Sequence, residues 1–241
     1  RYPIFTLTTI INILVTMAMF SGMILMPIYM QNVRGFSPLQ SGLLLLPGGI
    51  VMGVMSPITG KLFDKFGAKW LAIIGLAITI VTTYMLTRLQ TDTSFAYVVE
   101  VYTARMFGIS LVMMPIFTAG LNELSLSLNK YGTAMVNTLR MVAGAVGMAF
   151  FVTIMTNQGK AHIQTIIAQH HISPADKVHM AMAIQQGSAM GINDAFMVAT
   201  DLTVIAFILA FFIRRVEQKE NAAPNRIRTR KKPIPDGNLA K

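Results

Sequence analysis

Four ionisable side chains, Glu100, Arg105, Arg140 and Asp201, interrupt otherwise apolar runs. A charge placed inside such a run is costly in lipid, so each is a candidate for proton binding, charge recognition or a buried pair. Glu100 falls near the outer end of its run, within reach of interfacial water. Arg105 lies deeper, and the two are roughly 140° apart around a helix, which makes them poor partners for one another. Arg105 is therefore expected to face a cavity, with its partner on a different helix. Arg140 either snorkels to the interface or faces a neighbouring helix. Asp201, flanked by Thr200 and Thr203, occupies a position suited to a proton carrier.

Uncharged residues add a second candidate set. Asn12, Thr16, Met19 and Met23 recur at helical spacing and share one face, with Phe20 beside it and Pro27 offering a kink. Ser110 and Pro115 share the run of Arg105. Amides and hydroxyls inside a membrane helix must find partners or face water. Methionine, of which the chain has 19, repacks around cargo of varying shape. Two readings stay open for this face: the wall of a substrate cavity, or helix packing with polar glue. The small residues Ala143, Gly144 and Gly147 suit close helix packing, sliding or static.

The elements that position these residues follow from composition. Of 241 residues, 54% are hydrophobic and 12% charged, with a mean hydropathy of +0.57. That is about half the charge of an ordinary soluble domain, and it is gathered outside long apolar runs. Spanning a bilayer takes roughly 20 apolar helical residues. Six stretches qualify: about 4–30, 39–59, 70–87, 96–122, 132–156 and 195–213. Strand-like alternation is absent from them, so the fold class is all-α membrane protein. Cysteine is absent, which removes disulfides and thiolate metal sites.

Charge sets the orientation. Lys61, Lys65, Lys69, Lys130, Arg1 and the basic segment 214–241 fall on one side of six alternating spans; Arg34, Arg88, Lys160 and Lys177 fall on the other. The positive-inside bias makes the first side cytoplasmic, with both chain ends there. The net charge of +10 resides largely in that tail, where it suits anionic lipid headgroups. No base-stacking or recognition motif accompanies it, so nucleic acid is not an expected partner. The longest connection, 157–194, is expected as a solvated, partly helical outer loop. Its histidines, among them adjacent His170 and His171, lack the carboxylate-rich surroundings of a metal site. Arg1 leads almost directly into an apolar run, which predicts a chain that is part of a longer one.

Between the second and third spans stands Gly60-Lys61-Leu62-Phe63-Asp64-Lys65-Phe66-Gly67-Ala68-Lys69. Here glycine permits positive φ, and Asp64 is placed to cap or face the positive terminus of the next helix. The segment resembles the loop signature of the major facilitator superfamily, G-x-L-x-D-[RK]-x-G-x-[RK]. Gly60, Leu62, Asp64, Lys65, Gly67 and Lys69 match it, while Ala68 departs from the fullest form. Further stretches, 6–47, 105–115, 132–147 and Gly191-Ile192-Asn193-Asp194-Ala195-Phe196, resemble the last six helices of fourteen-helix drug:proton antiporters of the EmrB/QacA type.

That resemblance implies the carboxy-terminal half of such a transporter, built as a three-plus-three repeat, with the first and fourth spans lining the central cavity. It implies a bacterial cell-membrane protein that exchanges protons for lipophilic or cationic drugs. The missing amino-terminal half would be its partner, and the proton gradient, not a cofactor, its energy source. The loop signature would be a conformational switch. Two alternatives remain: the same fold exporting an endogenous lipid or metabolite, and a non-transporting scaffold. No convergent nucleophile, base and metal-ligand set suggests an enzyme.

Overall fold

The structure, a computed structural model, describes residues 2–173 and 176–213. The basic tail and Arg1, used above for orientation, lie outside the described residues. Among the described residues there are helices and no strands.

The first helix, α1 (Pro3–Ile28), begins with proline in its first turn, where the missing N–H costs nothing. It passes Pro27 and relaxes into a π-helical turn, Tyr29–Val33, before Gly35 turns the chain with φ +69°. Helix α2 (Pro38–Met85) opens with a capping box: the Ser37 hydroxyl accepts from the Gln40 N–H, and the Ser37 N–H donates to the Gln40 side chain. A 3₁₀ turn, Leu86–Arg88, closes α2. Three more helices follow: α3 (Phe95–Asn122), α4 (Leu126–Gln169) and α5 (Lys177–Ala210).

Each of the five is long and apolar enough to cross a membrane. The expected second and third spans both lie in α2, because helical hydrogen bonding runs through the signature segment and only Gly67 leaves helical geometry (φ 76°, ψ 168°). The chain nevertheless folds back there. A Cβ on Gly48 would press on Tyr102 and Met106, and one on Gly75 on Gly108, Leu111 and Val112. Gly48 and Gly75 would be roughly 40 Å apart on a straight helix, yet they meet neighbouring turns of α3.

The connection expected on the outer side differs from a loop. Residues 157–169 and 177–194 are helical, because α4 and α5 continue past their apolar portions as a paired extension. Gly187 and Gly191 let the two backbones touch at Ile163, Gly159 and Met155, so each helix covers the other there.

Most buried hydroxyls in the core bond within their own helix. Thr9 donates to the Phe5 carbonyl, Thr79 to Gly75, Thr200 to Phe196 and Thr203 to Ala199, at 2.7–2.8 Å. Such back-bonding leaves few polar groups that need a partner from elsewhere. Those few mark the site.

Candidate functional site

Arg105 is the largest fully buried side chain among the described residues, with no exposed surface. It sits on α3 between α1 and α2. Its Nε donates to the Thr83 hydroxyl at 3.0 Å, and its Nη2 donates to the Ser21 hydroxyl at 3.2 Å and to the Ala18 carbonyl. Nη1 lies over Gly22 and has no hydrogen-bond acceptor among the described residues. The expected partner on another helix is present, on two helices. The expected cavity-facing pose is not: the guanidinium lies inside the bundle, joining three helices through neutral oxygens. No carboxylate of the described residues pairs with it.

The polar face of α1 divides along its length. Asn12 and Thr16 are buried, and neither Asn12 Oδ1 nor Thr16 Oγ1 has a hydrogen-bond partner among the described residues. Met19 and Phe20 are half-buried, and Met23 is exposed. Gly144 seats the Phe20 ring and Gly147 the Met17 backbone, so the small-residue face of α4 packs on α1. Ser110 is buried and returns its hydroxyl to the Phe107 carbonyl at 2.7 Å.

The remaining charged candidates scatter. Glu100 is exposed on α3 together with Ala104 and Met114. Asp201 is exposed on α5 in a stripe with Met197, Ile205 and Ile208. Arg140 is half-buried on α4. The structure does not bring these three together. Helix α4 is the least covered, carrying Asn137, Thr138 and Thr153 beside Met135 and Met141 on exposed positions.

In the signature segment Gly67 takes the positive φ, and Asp64 and Lys65 are exposed, while Gly60, Leu62 and Lys69 are partly covered. Lys65 Nζ lies 5.3 Å from the centre of the Phe66 ring. Asp64 forms no cap hydrogen bond among the described residues; it sits in the helical turn before Gly67, where its neighbours' N–H groups are already committed.

Sequence reasoning missed a set of ties at the end of the bundle that carries Leu89. Asn193 grips Leu89 twice: its Oδ1 accepts from the Leu89 N–H at 3.2 Å and its Nδ2 donates to the Leu89 carbonyl at 2.9 Å. Tyr29 donates to the Gln90 carbonyl, Gln185 to the Val33 carbonyl and Arg34 to the Thr91 carbonyl. At the other end, Glu123 Oε2 accepts from the Phe5 N–H at 2.5 Å, a carboxylate at a helix N-terminus. Only the small residues Ala18, Ser21 and Gly22, grouped on one side of α1, hinted in sequence at where Arg105 would lie.

Residues 1–148 match the profile of the Major Facilitator Superfamily. The chain is 44% identical to "Uncharacterized MFS-type transporter YhcA" of Bacillus subtilis (strain 168), over 90% of this chain and 46% of that protein. It is 38% identical to "Lincomycin resistance protein LmrB" of Listeria monocytogenes serovar 1/2a, over 90% of this chain and 44% of that protein. The chain thus spans about half the length of the curated relatives it matches. Its fold resembles that of a bacterial homolog to human lysosomal transporter Spinster, solved in an inward-facing and occupied conformation. The TM-score is 0.67 at 17% identity, over 93% of this chain and 52% of that one. With its paired helices, its signature segment and its length relative to these proteins, this multi-pass membrane chain has the fold of one transporter half and belongs to the major facilitator superfamily.

Proposed function

We propose that this chain is the carboxy-terminal six-helix half of a fourteen-helix, proton-coupled multidrug efflux transporter of the cell membrane, with both chain ends cytoplasmic. Its partner is the amino-terminal half of the same transporter. Its cargo is lipophilic or cationic small molecules, moved by alternating access with the proton gradient as energy source and no cofactor. The observation that carries the reading is the similarity, across nine-tenths of the chain, to proteins named for lincomycin resistance.

The geometry supports a division of labour. Arg105, Thr83 and Ser21 lock α1, α2 and α3 into one block, so these three helices move as a unit. Exposed Glu100 is placed to bind a proton or the cationic group of a cargo, and competition between the two couples their fluxes. Glu100 is a better carrier than Asp201, because α3 is one of the two spans that the resemblance sets against the cavity. The segment from Gly60 to Lys69 serves as the switch between the two access states.

Efflux by the complete protein in sealed vesicles tests the reading. A lincosamide or a cationic dye should leave against its gradient only while an imposed pH difference persists, and Glu100→Gln should cut cation efflux about tenfold or more. Efflux unaffected by a protonophore, or absent for every drug while lipids compete, would overturn it in favour of an endogenous cargo.

A further inference from the structure

All four histidines of the chain lie between residues 162 and 179. His179 Nδ1 lies 2.6 Å from Asp176 Oδ2, a pair within one turn of α5. His162 Nε2 lies 2.8 Å from Asp194 Oδ2, a pair that joins α4 to α5. The second pair is the mechanical one. It bridges the helices beside their closest approach, where a Cβ on Gly187 would overlap Ile163 and a Cβ on Gly191 would overlap Gly159. Packing that tight transmits a change in one contact to the spacing of the two backbones. Asp194 also follows Asn193, which holds both backbone groups of Leu89. One short stretch of α5 therefore ties α4 on one side and the end of α2 on the other.

Both side chains of the pair are partly open, 35% and 41% exposed, so solvent protons reach them. A neutral imidazole offers the carboxylate one hydrogen bond. An imidazolium keeps that bond and adds a full positive charge opposite the carboxylate. The surrounding charges do not supply an alternative partner. Lys160, on α4 itself, lines a small cavity with Asn32 and Ser188. Arg34, at the end of α1, is held by the Thr91 carbonyl and the Phe36 ring, and Arg88, after α2, lies on Tyr84. Asp92 sits near Tyr29. His170 lines the neighbouring pockets with Gln186.

We propose that His162 and Asp194 form a proton-operated brace that draws the outer extensions of α4 and α5 together when the surrounding solution turns acidic. The brace goes beyond the transport reading, which enters only in naming the outside as the solution sensed.

This chain holds no cysteine, so neither extension offers a competing thiol once cysteines elsewhere in the complete protein are replaced. Thr165 and Ala181 are exposed on the two extensions. In the complete protein, Thr165→Cys and Ala181→Cys carry spin labels, and the distance distribution is read at about pH 8 and about pH 5. The parent and His179→Gln should shift to a shorter, narrower distribution at the lower pH. His162→Gln and Asp194→Asn should keep the broad distribution at both, with helical content unchanged. A parent that ignores pH, or a His162→Gln protein that still tightens, overturns the proposal. No cargo or gradient is involved, so failure here leaves the transport reading standing.

Discussion

Gly22 of α1 and Arg105 of α3 occupy one space: a Cβ at position 22 would overlap the Nη1 of the guanidinium. The glycine is what allows a buried cation to lie flat between helices and reach Ala18, Ser21 and Thr83 together. Gly22→Ala must push the guanidinium off these acceptors, at about 1–3 kcal/mol for overpacking. Thermal unfolding followed by circular dichroism should show a lower midpoint for Gly22→Ala. Gly42→Ala, where nothing lies within contact, should be neutral or stabilising.

Asn193→Ala removes both prongs from Leu89. Leaving a partly buried N–H and carbonyl without partners costs about 1–3 kcal/mol. The Leu89 amide, which donates to Asn193 Oδ1, should exchange with deuterium at least tenfold faster in the variant, while the core amides of α3 keep their protection.

Gly67→Ala forces an L residue into φ 76°, ψ 168°, a region essentially reserved for glycine. The strain is about 1–3 kcal/mol. Partial relief by opening the turn should expose the partly covered Lys69 to faster amine labelling and slow efflux by the complete protein. A variant with native stability and rate would show that the turn is not under constraint.

Asp176 caps α5, its Oδ1 accepting from the His179 N–H. Hydrogen bonds from the His179 backbone and ring hold the Asp176 carboxyl below its ordinary range. A depressed carboxyl contributes stability above the unfolded-state value and loses it as pH falls through the folded one. The first turn of α5 should therefore be protected from hydrogen exchange at neutral pH and fray as the pH drops below about 4. Asp176→Ala should fray it at every pH.

Apolar runs were enough to read the helices of this fold, because lipid makes continuous apolar length a requirement. The fold-back was legible too, from Gly67 in its signature. The unbroken helical bonding of α2 and the long extensions of α4 and α5 were not. Residues such as Lys160, His162 and Gln164 look like loop by polarity, and only the glycine-to-backbone contacts of Gly187 and Gly191 reveal the partner that keeps them helical. Arg105 was legible as a special residue. Its neutral oxygen partners were not, because a threonine or a backbone carbonyl carries no mark in sequence of the cation it will meet.

Most hydroxyls of the membrane helices bond within their own helix, whereas Arg105 depends on groups made earlier in the chain. A nascent α3 entering lipid alone would carry a bare guanidinium near its middle, a penalty of about 2.5–3.5 kcal/mol. Ala18, Ser21 and Thr83 all precede it in order of synthesis. The polypeptide is thus arranged so that the receptor for its most lipid-averse side chain is already threaded when that side chain leaves the ribosome. Biogenesis of this segment should stall or misinsert when α1 is deleted, even though α3 itself is untouched.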